Sequence, residues 1–166
     1  AILHHATANT DWWHLNRQRL CSSPEGALRY FAIQACTAAP TSNLNVIGQV
    51  LCDIELLQSD LSYELGALIK TAFIHLDAAT QDAIQTAILD THHESPEDAI
   101  DLTWKQQQQV QLILPVPCHL RIQASQTVLE SASEITWPLV REPKICSRGG
   151  LVSSPFSFDI FLSSSD

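Results

Sequence analysis

The seven histidines and five cysteines are the residues of this 166-residue chain most able to do chemistry. His4-His5 and His92-His93 are adjacent pairs, and Cys118-His119 is a third. Zinc needs several such side chains converging as a tetrahedron, usually supplied in spaced pairs. Neighbours on a helix diverge by about 100°, so adjacent pairs chelate one ion poorly. HExxH and CxxC are both absent. A metal-dependent hydrolase would have to assemble His92, His93, Cys118 and His119, and their spacing does not favour it. The cysteines are Cys21, Cys36, Cys52, Cys118 and Cys146, an odd number. Cys36 and Cys52 fall in apolar helical patterns, where a thiol behaves as a small hydrophobe. A reduced, cytosolic setting is the simplest reading.

Nucleophile and phosphate signatures are missing too. There is no GxSxG, no P-loop and no dinucleotide-binding glycine motif. Gly149-Gly150 is a turn, too short to cradle a phosphate. Glu25, Glu64 and Glu97 stand near helix starts, where a carboxylate is stabilised by the helix dipole without being catalytic. Asp53 and Glu55 point to different faces of a helix and read as solvated. No catalytic, metal or cofactor residue is assigned.

Charge narrows the partners. Nine Lys+Arg stand against 18 Asp+Glu, a net charge of −9. The basic residues are scattered, so a counterion-releasing face for nucleic acid is not expected. No apolar run reaches the roughly 18–20 residues that span a bilayer. Hydrophobic residues make up 45% of the chain, enough for one globular unit or a stretch of a longer array.

The elements that position these residues read as short helices. A helix covers about 11–20, with Trp12, Leu15 and Leu20 able to face inward. Ser23-Pro24-Glu25 has the serine, proline and acid of a helix start. Over 26–39 the apolar stripe is Ala27, Leu28, Phe31, Ala32, Ala35, Cys36 and Ala39. A further helix runs over 43–57, carrying Leu44, Ile47, Val50, Leu51, Ile54 and Leu57. The cleanest amphipathic pattern follows Ser59-Asp60: Leu61, Leu65, Leu68, Ile69, Ala72, Phe73 and Leu76. Asp77 breaks and recaps before 79–88. Ser95-Pro96-Glu97 precedes a helix to Ile113, with glutamines 106–109 as its solvated middle. Pro115 and Pro117 stop it, and another helix covers about 124–135.

Strand alternation and hairpin-turn dipeptides are missing. The pattern is all-α: antiparallel helical hairpins stacked as a HEAT-like α-solenoid fragment. Hairpins begin near Ser23 and Asp60, a spacing of roughly 37 residues. Residues 1–136 form the helical-repeat array. Residues 137–166, with Pro138, Pro143, Pro155 and the glycine pair, form an irregular segment leading to a further repeat. The absence of Met and the cap-like Ser163-Ser164-Ser165-Asp166 suggest that both ends lie inside a longer polypeptide.

"DWWHLNRQRLCSSPEGALRYFAIQACTAAP", "LSYELGALIKTAFIHLDAATQDAIQTAIL", "LILPVPCHLR" and "REPKICSRGGLVSSPFSF" together resemble the HEAT-like helical region of large bacterial STAND/NACHT-like signal-transduction ATPases, a class that includes antiphage defence proteins. The resemblance covers residues 11–166. It implies a non-catalytic scaffold or sensor segment, meeting adjacent repeats of the same chain and a partner protein. It carries over no catalytic residues, and the ATPase motifs are not in this stretch. Aromatic and arginine anchors dominate protein interfaces. On that basis Trp13, Arg17, Arg29, Tyr30 and Tyr63 are the candidate partner contacts. A nucleic-acid-binding helical repeat is the other alternative to the hydrolase, and would need a basic stripe.

Overall fold

The computed structural model describes residues 2–91 and 99–133, with 99–105 and 133 described by backbone alone. The segments 92–98, with His92 and His93, and 134–166, with Cys146 and the phenylalanines near the C-terminus, lie outside the described residues. Among the described residues there are nine α-helices and no strand. The helices are α1 Ile2–Thr7, α2 Asp11–Cys21, α3 Gly26–Ala38, α4 Leu44–Leu51, α5 Ile54–Leu57, α6 Ser62–Ala72, α7 Ala78–Asp90, α8 Ala99–Ile113 and α9 Gln123–Ser133. Short 3₁₀ turns lie at Pro40–Ser42, Phe73–His75 and Cys118–Leu120.

Local chemistry sets these boundaries. α1, which the hydrophobic pattern did not reveal, ends at Asn9. Asn9 sits at φ 48, a left-handed conformation that asparagine tolerates better than most residues. Its N–H donates to the Ala6 carbonyl and the Thr10 N–H donates to that of His5. This pair of bonds closes a Schellman turn. Thr10 then starts α2 by accepting the Trp13 N–H at its hydroxyl, 3.3 Å away. The expected helix over 43–57 is two helices, because Asp53 interrupts it. The Asp53 carboxylate accepts the Leu56 N–H at 3.2 Å and so begins α5. Ser23 shapes the turn before α3 rather than capping it: its hydroxyl accepts the Glu25 N–H, and Glu25 takes the cap position.

Asp77 caps α7 as expected, accepting the Thr80 N–H at 3.0 Å and the Thr80 hydroxyl at 2.7 Å. These bonds hold its carboxyl below the ordinary 3.8. A depressed folded-state value means the cap is at full strength above a pH of about 4 and is lost as pH falls through the lowered value.

The apolar pattern over 61–76 is the centre of the core. Leu65, Leu68, Ile69, Ala72 and Phe73 are fully buried. Each large side chain of this kind contributes about 1.5–3 kcal/mol on burial. α1 packs on α3, α3 on α6 and α6 on α8. In parallel, α2 packs on α4, α4 on α7 and α7 on α9. The two sets meet through α2 with α3, α4 with α6, and α8 with both α7 and α9. The core is therefore drawn out along the chain, with α6 in its middle.

Several expected inward positions face out, among them Trp12, Leu15, Ala27, Leu28, Phe31 and Ile54. Leu15 is 83% exposed and Phe31 is 51% exposed. The buried arc of α3 is Ala32, Ile33, Ala35 and Cys36. It is rotated from the expected stripe to bring Ile33 inside, which turns Ala27 and Phe31 outward. Glutamines 106–109 are not a solvated stretch either: Gln108 and Gln109 are buried.

α4 and α7 approach closely at Gly48, where an added Cβ would stand 3.0 Å from the Thr80 methyl. The bond from Thr80 to Asp77 restrains that side chain from turning away. Alanine favours a helix over glycine by about 1 kcal/mol, so steric relief should reveal this gain. Gly48→Ala is expected to be more favourable by about 1 kcal/mol in a Thr80→Ser background than in the parent. Urea unfolding of the two pairs measures the difference, and equal effects would show that the helices do not meet there.

Candidate interaction surface

The five candidate contacts separate into a buried cluster and an exposed face. Trp13 is fully buried and is no surface anchor. α2 turns it inward beside Leu20 and Cys21, and its indole N–H donates to Asn43 Oδ1 at 2.9 Å. Arg17, one turn further along α2, donates to the same Oδ1 at 3.0 Å and to the Ser42 carbonyl at 2.7 Å. Asn43 in turn donates to the Ala39 carbonyl at 2.8 Å. Asn43 is itself fully buried, so this cluster joins α2 to the turn between α3 and α4. Trp12 takes the outer position, 41% exposed, with its ring centroid 4.7 Å from that of His5.

The exposed face lies on α3 and α6. Tyr30 and Phe31 protrude from α3 and meet edge-on at 5.3 Å, with Ala27 and Ala38 exposed at helical spacing beside them. On α6, Tyr63 is 46% exposed and Lys70 follows at helical spacing; Ile74, in the 3₁₀ turn that continues the helix, is exposed beside them. Arg29 is half-buried, and its Nε is buried without a hydrogen-bond partner among the described residues. Phe31 reads as core because an apolar residue on an amphipathic helix usually is, and Ile74 lies off the apolar stripe of the 61–76 pattern. The usable signal was the small-residue run Ala32, Ala35 and Cys36, which marks the side that a neighbour approaches.

Charge differs between the two sets of helices. α3 carries only Arg29, and α6 carries Lys70 and the buried Glu64. Asp53, Glu55, Asp77, Asp82 and Asp90 gather along α5 and α7. α3 and α6 are therefore aromatic and poor in acids, whereas α5 and α7 carry the acids.

An open groove of about 770 Å³ lies between α4 and the start of α7. Leu44, Gly48, Cys52, His75, Thr80 and Ala83 line part of it. No hydrogen bond joins Cys52 to His75 among the described residues, and burial pushes the Cys52 thiol up. A protonated thiol without a base is a poor nucleophile. Cys118 and His119 are both exposed on their 3₁₀ turn. Among the described residues, no three His, Cys, Asp or Glu side chains gather as a metal ion would require. Likewise, no described helix is long and apolar enough to cross a membrane.

Among the described residues this is an all-α protein. No family model, curated protein or solved structure matches the chain.

The Asn43 cluster carries a direct prediction. Asn43→Ala leaves the Trp13 indole and the Ala39 carbonyl without their partner, and should cost roughly 2–3 kcal/mol. Asn43→Asp keeps the acceptor for Trp13 and Arg17 and should cost less. Urea unfolding followed by far-ultraviolet circular dichroism ranks the two variants. An alanine variant as stable as the parent would show the cluster to be dispensable.

Proposed function

We propose that the chain is a HEAT-like α-solenoid segment that binds protein partners and performs no catalysis. In this reading α1 with α2, α3 with α4 and α5, α6 with α7, and α8 with α9 are successive hairpins. The reading is supported by the way each helix packs on its counterpart one pair further along, in both sets. Helical arrays of this kind contact their neighbours in sequence and offer one extended surface. The resemblance to bacterial STAND/NACHT-like ATPases supplies the context: a cytoplasmic sensor or scaffold region within a larger protein.

The binding face is the one formed by α3 and α6. The observation that carries this choice is the exposure of Tyr30, Phe31, Tyr63 and Ile74 on helices with little charge. Tyrosine and phenylalanine lose little conformational freedom when they dock and bury large areas. Partner contacts concentrate on such residues and on arginine. Of the sequence candidates, Tyr30 and Tyr63 belong to this face. Arg17 is committed to the internal cluster with Trp13. Leu3, Trp12 and Leu15, exposed on α1 and α2, are the positions where an adjacent repeat would pack.

Photo-crosslinking in the full-length protein tests the reading. A photoreactive residue is placed at Tyr30, Tyr63 or Ile74, and at Asp82 or Thr86 on α7 as controls. Protein adducts should form several-fold more at the first three positions. Adducts confined to α7, adducts to nucleic acid, or none at any position would overturn it.

A further inference from the structure

The outer side of α2 carries an apolar residue with little over it. Leu15 is 83% exposed, the most of any large apolar side chain among the described residues. Trp12, one turn earlier on the same side of the helix, is exposed as well, and so is Leu3 on the neighbouring α1. The inner side of α2 is taken up by Trp13, Leu20 and Cys21, which are buried. A single exposed apolar residue is ordinary. Apolar residues grouped on one side of a helix offer a contact surface.

The charges around Leu15 decide what fits there. Asp11 stands four residues before it and Arg19 four residues after it, and both are exposed. Each lies about 6 Å from Leu15 along the helix axis, and the four-residue step keeps both on its side of the helix. The Asp11 carboxylate has no hydrogen-bond or ionic partner among the described residues. Arg19 donates from Nη2 to Asn16 Oδ1 at 3.0 Å, which leaves its other N–H groups available. The stripe is therefore negative at its start, apolar at its centre and positive at its end. Such a stripe complements its own copy turned end for end. With two α2 helices antiparallel and Leu15 on the twofold axis, each Asp11 faces Arg19 of the other copy. A twofold contact is reciprocal in this way.

We propose that the chain pairs with a second copy of itself across α2, antiparallel about Leu15. In the solenoid reading this face takes an adjacent repeat, and the pairing supplies that repeat from another molecule. Leu15 packs on Leu15 of the second copy, Trp12 flanks the contact, and the Asp11–Arg19 pair forms once at each end. Apolar contact provides attraction without direction. The charges set the direction, since a parallel pair would bring Asp11 against Asp11 and Arg19 against Arg19. The pairing uses no residue of the α3 and α6 face.

Analytical ultracentrifugation of the full-length protein and of charge-reversed variants tests the pairing. The parent should associate to dimers. Asp11→Arg sets cation against cation at both ends of the contact, and Arg19→Asp sets acid against acid. Each should weaken dimerisation by about tenfold or more. An equimolar mixture of these two variants restores every opposite-charge pair and should dimerise as tightly as the parent. Neither a misfolded variant nor a charge acting only on the helix dipole would give that rescue. Leu15→Ser, at a position too exposed to hold the fold, should be monomeric with an unchanged circular dichroism spectrum. A parent that stays monomeric, a dimer that survives Leu15→Ser, or a mixture no tighter than its two components would overturn the proposal. None of these outcomes bears on the α3 and α6 face, which the photo-crosslinks test by themselves.

Discussion

Short helices create a constraint that the rest of this molecule answers. Each α-helix ends with backbone carbonyls that have no partner within it. A chain broken into many short helices multiplies those ends, and packing buries them. Burying an unpaired carbonyl costs about 1–3 kcal/mol. Here carboxamide side chains from neighbouring segments supply the missing donors. Gln81 donates at 2.9 Å to the Leu76 carbonyl, and also at 2.9 Å adds a second donor to the Phe73 carbonyl, which already accepts the Leu76 N–H. Gln109 reaches the Ile88 and Leu89 carbonyls at the end of α7. Gln108 donates to the Ser59 carbonyl, and Gln58 to that of Thr91. Gln85 donates to the Leu120 carbonyl and accepts the Ile122 N–H, so it ties α7 to the turn before α9. Asn43 does the same work between α2 and the end of α3.

These amides also specify which helices meet. An apolar stripe can slide or rotate against another at small cost, whereas a buried amide is satisfied in one register. The central stripe of α6 supplies the larger share of burial, and the amides set the turns on either side of it. Once α3 and α6 are held side by side, their outer residues are left exposed. The aromatic face is then a consequence of the same packing. Ala32, Ala35 and Cys36 let neighbours come close, and Tyr30 and Phe31 have nowhere to go but outward.

Much of the helical order was legible in the sequence, because three- and four-residue apolar spacing survives in any helical packing. The 61–76 pattern and the Asp77 cap illustrate this. What escaped reading depends on contacts distant in the chain. Glutamines 106–109 look solvated because glutamine usually is; only the carbonyls of Ser59, Ile88 and Leu89 explain why two of them are inside. The choice between Trp12 and Trp13 turns on Asn43, thirty positions away. The rotation of α3 that buries Ile33 and exposes Phe31 is set by its neighbours on both sides. α1 has too few residues for a period to show, and the break at Asp53 is a single capping bond within a continuous apolar run. Among the candidate contacts, Tyr30 and Tyr63 are exposed whereas Trp13 is buried, since an indole is as useful in a core as on a surface.

The most direct test is the stability of Gln81→Met, which keeps the volume and flexibility of the side chain and removes only its hydrogen bonds. Gln81 is 9% exposed, and the Phe73 and Leu76 carbonyls it serves are buried with it. Equilibrium urea unfolding should show a loss of about 1–3 kcal/mol with an unchanged denaturant slope. A variant as stable as the parent, or more stable, would contradict the view that buried amides hold these turns, and would leave apolar packing as sufficient.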